Sequence, residues 1–501
     1  MTEVQSNLTR RTAAGLASTG SAMILTALFQ IAYTAVMARL LTPREFGLVA
    51  MANVIIGFTS QLSRFGVGPA LIQHQRMGDD IVRSATTLAW AFGATGTAII
   101  IALSPVAGRF FREPAVVPVL MALAVAVTIA ALALVPEALL RRGLRFQWLA
   151  GIDVASFAVG YLGVGIFAAW MGAGVWSLVA ATLSQGVVKT LAIVSVERRG
   201  LRPGWSREAV RSIASFGSQV TIIGVIRYTA SALPTMLVGR TLGSVLLGQF
   251  NRADMVIRMP IERLTTMISR VLFPALSTVS REPQRFFAGY SLATAVATAI
   301  VLPAAVFAAL LAAPIVALLL GPGWEHAAEV LPLLAVAVAI TYLTHFAGVT
   351  LQALGRLRAK LVSEILAVSL LLAGLTAFVR GGLLLVASVL VGVELFRFAF
   401  QFAILSRLMS GGLRAALRPL RAGLLLALVV VITILPVRHL AANWSAITTL
   451  AVGVLAAAAG VALAQLLPPV ADLRREVLRR SNLARVSTAG RAATPLDESS
   501  D

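Results

Sequence analysis

Long apolar runs, each about the length of a bilayer crossing and separated by short polar stretches, set the pattern of the chain. A membrane-spanning helix needs about 20 mostly apolar residues. The runs predict fourteen helices. The first six cover 13–41, 46–71, 84–108, 114–140, 148–170 and 174–195. The next six cover 212–240, 245–275, 286–312, 325–354, 358–378 and 381–404, and two more follow at 419–438 and 445–468. A polar stretch, Glu197 to Arg211 (ERRGLRPGWSREAVR), divides the two groups of six. The fold class is therefore all-α, a polytopic membrane protein. Its expected organisation is an N-terminal lobe over 1–195, a cytoplasmic linker over 196–211, a C-terminal lobe over 212–410, two extra helices over 411–468 and a disordered Arg- and Ser-rich tail over 469–501.

Composition agrees with the pattern. Of the 501 residues 58% are hydrophobic and 13% charged, against about 45–50% and about 25% in soluble domains. Mean hydropathy is +0.88. No water-soluble core hides that much apolar surface, so a soluble globular protein is excluded. Arg10 and Arg11 precede the first run. That run is longer than the 7–15-residue apolar core of a cleaved signal peptide, so it reads as a retained first span. The absence of cysteine excludes disulfides, thiolate metal sites and thiol nucleophiles.

Charge changes the picture more. The formal net charge is +21, which in a soluble protein suggests nucleic-acid binding. In a membrane protein the position of the cations decides. With the N-terminus placed in the cytoplasm, 28 of the 42 Lys and Arg fall on the cytoplasmic side and 7 on the outer side (Arg39, Arg44, Arg109, Arg112, Arg240, Arg380 and Arg438). The bias alternates loop by loop, as the positive-inside rule requires. It predicts a multi-pass membrane protein with both ends cytoplasmic, and nucleic acid drops out as a partner. Seven cations remain inside spans: Arg64, Lys189, Arg227, Arg252, Arg258, Arg263 and Arg397. Insertion scales place each at about 2.5–3.5 kcal/mol unfavourable at a helix centre.

The two groups of six resemble each other. A shift of 201 residues lays Arg39 on Arg240, Leu41 on Leu242, Gly47 on Gly248 and Ala52 on Ala253. An even number of helices, six, separates equivalent positions, so the repeat would be parallel, with its axis along the membrane normal. Four identities in about nineteen positions also arise by chance between apolar helices.

Several segments carry a resemblance to a known family. ARLLTPREFGLVAMA (38–52) is similar to the turn after the first helix of polysaccharide and oligosaccharide-lipid (Wzx-like) flippases, and RFGVGPALIQ (64–73) to the stretch after their second. LGQFNRADMVIRMP (247–260), VLFPALS (271–277), GWEHAAEVLPLLAVAVA (323–339) and QALGRLRAK (352–360) resemble the signatures of the second half. The resemblance covers about residues 10–410 and points to the multidrug/oligosaccharidyl-lipid/polysaccharide exporter superfamily. It implies two six-helix lobes around a central cavity. It also implies an undecaprenyl-pyrophosphate-linked oligosaccharide as cargo, moved from the inner to the outer leaflet. A polysaccharide polymerase and a chain-length regulator are the partners it suggests; no cofactor is expected.

The polar residues inside spans are the candidate chemistry. In the eighth span Asn251, Asp254, Arg258, Glu262, Thr265 and Ser269 share one helix face. Arg258 reaches Asp254 and Glu262 along it. The face either lines a wet cavity or forms a salt-bridge ladder that fixes packing. Arg252 and Arg263 lie off that face. Arg227, mid-way along the seventh span, has no carboxylate within four residues. It needs an anion from elsewhere: a substrate pyrophosphate, or a carboxylate such as Asp153 or Glu364. Arg64 and Lys189 lie close enough to the cytoplasmic side to snorkel, and Arg397 has Glu394 three residues before it. The substrate-binding candidates are thus Arg227, Arg258, Arg252, Arg263, Arg64, Arg397 and Asn251, because a guanidinium fork binds phosphate bidentately. Asp153, Glu364 and Glu394 are candidates for ion coupling, or else partners of the intramembrane cations. Pro234, Pro260, Pro303 and Pro332 lie within spans as candidate hinges.

Enzyme chemistry is not expected. His74, His326, His345 and His439 are scattered without metal-ligand spacing, and no GxxxxGK[ST] phosphate loop occurs. Three other functions compete with the polysaccharide flippase. Two belong to the same superfamily: a multidrug or cation antiporter and a peptidoglycan-precursor flippase. The third is a membrane polymerase or ligase, which the short outer loops disfavour.

Overall fold

A computed structural model describes residues 25–64, 66–73, 78–278, 283–409 and 411–476; of these, the side chains of 73, 216, 220, 223, 263–278, 283–285 and 442 are outside the description. Everything described is helix or short connection. In chain order the helices are α1 (Leu25–Leu40), α2 (Pro43–Ser63), α3 (Val67–Gln73), α4 (Asp79–Phe111), α5 (Val116–Arg142), α6 (Phe146–Phe157), α7 (Ile166–Trp170) and α8 (Val175–Val196). There follow α9 (Arg207–Thr278), α10 (Pro283–Leu310), α11 (Ala312–Leu319), α12 (Glu325–Ala353), α13 (Leu357–Phe378), α14 (Leu383–Leu408), α15 (Gly412–Leu417), α16 (Leu420–Leu440) and α17 (Ala446–Ala464). The start of α2 shows how sequence sets a boundary. Pro43 occupies the first turn, where its missing N–H costs nothing. Glu45 reaches back to accept the Thr42 N–H at 2.6 Å.

Among the described residues twelve helices are long and apolar enough to cross a membrane, where the hydropathy pattern predicts fourteen. Two places account for the difference. Arg207–Glu262 is a single 56-residue run, but Gly243 breaks it with φ 84° and ψ 179°. Glycine alone enters that region without steric cost. The apolar helix Leu25–Leu40 is too short to be counted, and the residues before it lie outside those described. The spans expose many large side chains, Leu455 at 70% and Ile365 at 64% among them. In a multi-pass membrane protein hydrocarbon covers such surface.

The first compact unit comprises the described residues of 1–252, with 316–327 and 375–386. One part of its core is Val67, Leu71, Val82, Leu88, Val135 and Ile213. Hydroxyls tie its helices together: Thr97 Oγ1 donates to the Ala124 carbonyl at 2.9 Å, and Thr190 Oγ1 to that of Ile129 at 3.0 Å. With apolar surface on every side, such interhelical bonds and close packing carry the specificity. Between α6 and α7 the backbone is π-helical over Ala158–Gly165, within one continuous span.

The second unit comprises the described residues of 253–315, 328–374 and 387–476. Tyr290, Phe346, Phe402 and Leu405 form part of its core. Residues 468–476 are helical, a correction to the disordered tail expected from 469. The reason is local packing: Val470 is buried against Ala422, Leu426 and Ala464, with Leu473 beside them. The rest of that tail lies outside the described residues.

Candidate functional site

In the first unit α2 and the part of α9 before Gly243 pack closely. Gly57 leaves a slot filled by the Tyr228 ring. Tyr228 Oη donates to the carbonyls of Asn53 at 2.9 Å and Val54 at 3.2 Å. The preceding residue, Arg227, is exposed, and its side chain makes no hydrogen bond or ion pair among the described residues. Neither Asp153 nor Glu364 neutralises it.

Asp153 is instead 2.8 Å from Lys189 Nζ. Lys189 sits between Asp153 and Glu137, the latter at 3.8 Å. Glu137 also accepts from Arg141. Arg64, the residue that closes α2, is exposed and forms no ion pair among the described residues, although it lies within electrostatic reach of Glu137.

Arg252 has a different setting. Its guanidinium carbon lies 4.4 Å from the centroid of the Phe46 ring, a cation–π contact. Phe46 meets Trp324 edge-on at 5.6 Å, and Trp324 Nε1 donates to the Ala38 carbonyl at 3.0 Å. Arg252 is within electrostatic reach of Tyr33 and Tyr161. Tyr33 packs edge-on against Tyr161 at 4.9 Å, and Tyr161 stacks on Phe157 at 4.8 Å. Tyr161 belongs to the π-helical stretch. Such stretches recur at functional positions. Arg252 Nε and Tyr33 Oη are buried and have no hydrogen-bond partner among the described residues. The Asn251 side chain likewise forms no hydrogen bond there.

The second unit treats its arginines differently. Arg258 forms a two-pronged pair with Asp254, both bonds 2.8 Å. Arg397 bonds Glu394 at 2.6 and 2.8 Å and Glu364 at 3.2 Å. Tyr342 and Glu394 lie within electrostatic reach of Arg258. Two of the ion-coupling candidates therefore sit on one arginine. The side chain of Arg263 lies outside those described. No group of three or more His, Asp or Glu that would hold a metal occurs among the described residues.

Sequence reasoning missed the aromatic groups around Arg252 and the role of Glu137. Phe46 stands in one of the family-like segments, yet nothing in its spacing announces a partner 206 positions along the chain.

Residues 36–329 match the family described as "Polysaccharide biosynthesis protein". Among curated proteins, the lipopolysaccharide biosynthesis protein WzxC of Escherichia coli (strain K12) is 26% identical over 306 residues, 60% of this chain and 61% of that one. The match thus spans less than two thirds of that relative. In fold, the chain resembles a structure of the lipid II flippase MurJ in an inward closed conformation. The TM-score is 0.69 at 10% identity, over 90% of this chain and 99% of that one. It also resembles an inward-facing multidrug resistance MATE family transporter of the MOP superfamily, with TM-score 0.58 at 18% identity over 76% and 94%.

Proposed function

Because the chain belongs to the polysaccharide biosynthesis protein family, we propose that it is an exporter and not an enzyme. It flips undecaprenyl-pyrophosphate-linked oligosaccharide from the inner to the outer leaflet for surface polysaccharide assembly. In this reading fourteen spans cross the bilayer, with Gly243 separating the seventh from the eighth and Leu25–Leu40 closing the first. Six-helix lobes over 1–195 and 212–410 rock to open a cationic cavity to each side in turn.

The observation that carries the reading is the contrast in charge pairing. Arg227, Arg64 and Arg252 remain without a carboxylate bonded to them among the described residues. Arg258 and Arg397 are already neutralised. A cation held in a span without a counter-charge is costly, and a pyrophosphate supplies the missing charge. Arg227 is the principal anchor, Arg252 and Asn251 a second contact, and Arg64 the entry side. Asp153 on Lys189, and Glu364 and Glu394 on Arg397, are where proton or sodium coupling would act.

The test is deletion followed by chemical analysis. Surface polysaccharide disappears and its lipid-linked repeat unit accumulates on the cytoplasmic face. Loss of cell-wall synthesis instead would identify a peptidoglycan precursor as the cargo. Unchanged glycolipid pools would sink the transport reading.

A further inference from the structure

The 201-residue repeat reappears as contacts. Position 43 corresponds to 244, and 47 to 248. A side-chain carbon on Gly47 would collide with the Ser244 carbonyl, and one on Gly248 with the Pro43 carbonyl. Each glycine thus receives the backbone of the other segment at the equivalent position, the reciprocal pattern of a two-fold contact. The arginines that precede these glycines by eight residues also correspond, and they also cross. Arg39 donates to the Leu318 carbonyl in the last turn of α11. Arg240 donates to the Phe110 carbonyl in the last turn of α4 at 2.9 Å, with its guanidinium 4.6 Å from the Phe110 ring centroid. Both arginines therefore cap helix C-termini, where unpaired carbonyls and the helix dipole favour a cation. Each ends the first span of its own repeat; Arg240 caps the third span of the first repeat, and Arg39 caps the short helix α11 that follows the third span of the second. Glu113 braces the same end, accepting from Arg44 at 3.0 Å and from Ser244 Oγ at 2.8 Å.

We infer that Arg39 and Arg240 are paired latches that hold the outer end of the first unit shut, and that both let go when the protein opens outward. Neither binds substrate. The glycine crossing is the pivot, and the arginines set how often it parts. The inference rests on the alternating-access reading above, but its readout needs no substrate.

The native chain has no cysteine, so one reporter thiol is unambiguous. Ala50 lies one turn inward of Gly47 and is 8% exposed. In cells carrying A50C, a membrane-impermeant maleimide added outside should label slowly. Adding R39A and R240A together should raise the labelling rate about tenfold, since each removes a charge-assisted bond from the shut state. R39K with R240K keeps the charge and should stay within about threefold of the parent. R380A removes an outer arginine that makes no side-chain bond among the described residues, and should change nothing. If the double alanine variant does not accumulate, R39Q with R240Q gives the same readout. Unchanged labelling in a well-expressed R39A/R240A or R39Q/R240Q protein overturns the latch, as does equal acceleration by R380A. Faster labelling in a protein that moves no lipid-linked glycan would instead overturn the transport reading and leave the latch standing.

Discussion

The two compact units hold the same expensive side chain and use it in opposite ways. In the second, Arg258 lies on Asp254 and Arg397 lies between Glu394 and Glu364. In the first, Arg227 and Arg64 have no bonded partner among the described residues, and Arg252 rests on an aromatic face with its Nε unsatisfied. The intrinsic cost of an arginine inside a span is similar in each case. What differs is where the compensation comes from. A carboxylate on a neighbouring turn makes the arginine part of the fold. A missing counter-charge leaves it, on the function proposed above, to be completed by the substrate. Counting intramembrane cations therefore says little about a binding site until the paired ones are removed from the count.

The largest effect expected is on the structural side of that comparison. The Arg397 and Glu394 side chains are 19% and 17% exposed. R397L strips the cation from both Glu394 and Glu364. Removing one partner of a buried pair typically costs about 3–5 kcal/mol, because the remaining charge is stranded. R397L should lower the melting temperature in detergent and the amount of protein in the membrane, and adding E394Q should recover part of the loss. Normal stability of R397L would break the comparison by showing that the network contributes nothing to the fold.

Next comes the functional side. R227Q keeps hydrogen-bond donors and removes the charge. Hydrogen bonds to charged groups contribute about 1.5–3 kcal/mol, so flipping should fall about 10- to 100-fold. Melting should not move, since no carboxylate is stranded. Flipping measured at normal protein level decides it, and unchanged flipping would remove Arg227 from the site.

How much of this was legible in the sequence depends on the distance between partners. The pairs Asp254 with Arg258 and Glu394 with Arg397 follow from helix geometry, because residues three or four apart share a face. So did most of the apolar spans, and so did a break between 240 and 245, where the structure places Gly243. Lys189 with Asp153 and Arg397 with Glu364 are 36 and 33 positions apart. Their pairing depends on which helix packs against which. Helices that are apolar all round carry no stripe that reveals their neighbours. The same silence hid the aromatic shelf under Arg252 and the slot at Gly57. The repeat is the intermediate case. Four identities were weak as sequence, but in the structure the two glycines of one of them, Gly47 and Gly248, meet reciprocal backbones. Packing against a partner holds a glycine in place even when the residues around it drift.

The smallest expected effect is the sharpest test of the comparison. The Arg258 and Asp254 side chains are 42% and 24% exposed, so their pairing is worth about 0.2–1 kcal/mol, as for other solvent-accessible pairs one helical turn apart. D254N with R258Q removes both charges together, keeps the shape of both side chains and strands neither ion. If Arg258 is neutralised in the resting protein and takes no part in holding the pyrophosphate, the double variant should flip its cargo within about twofold of the parent, with stability altered by no more than the pair itself provides. R258Q alone should do worse than the double variant, because it leaves Asp254 uncompensated. The order of the two matters more than either size. A double variant as defective as R227Q, at equal protein level, would mean that Arg258 exchanges Asp254 for the substrate during transport. The division between folding arginines and binding arginines would then belong to one state of the cycle and not to the two units.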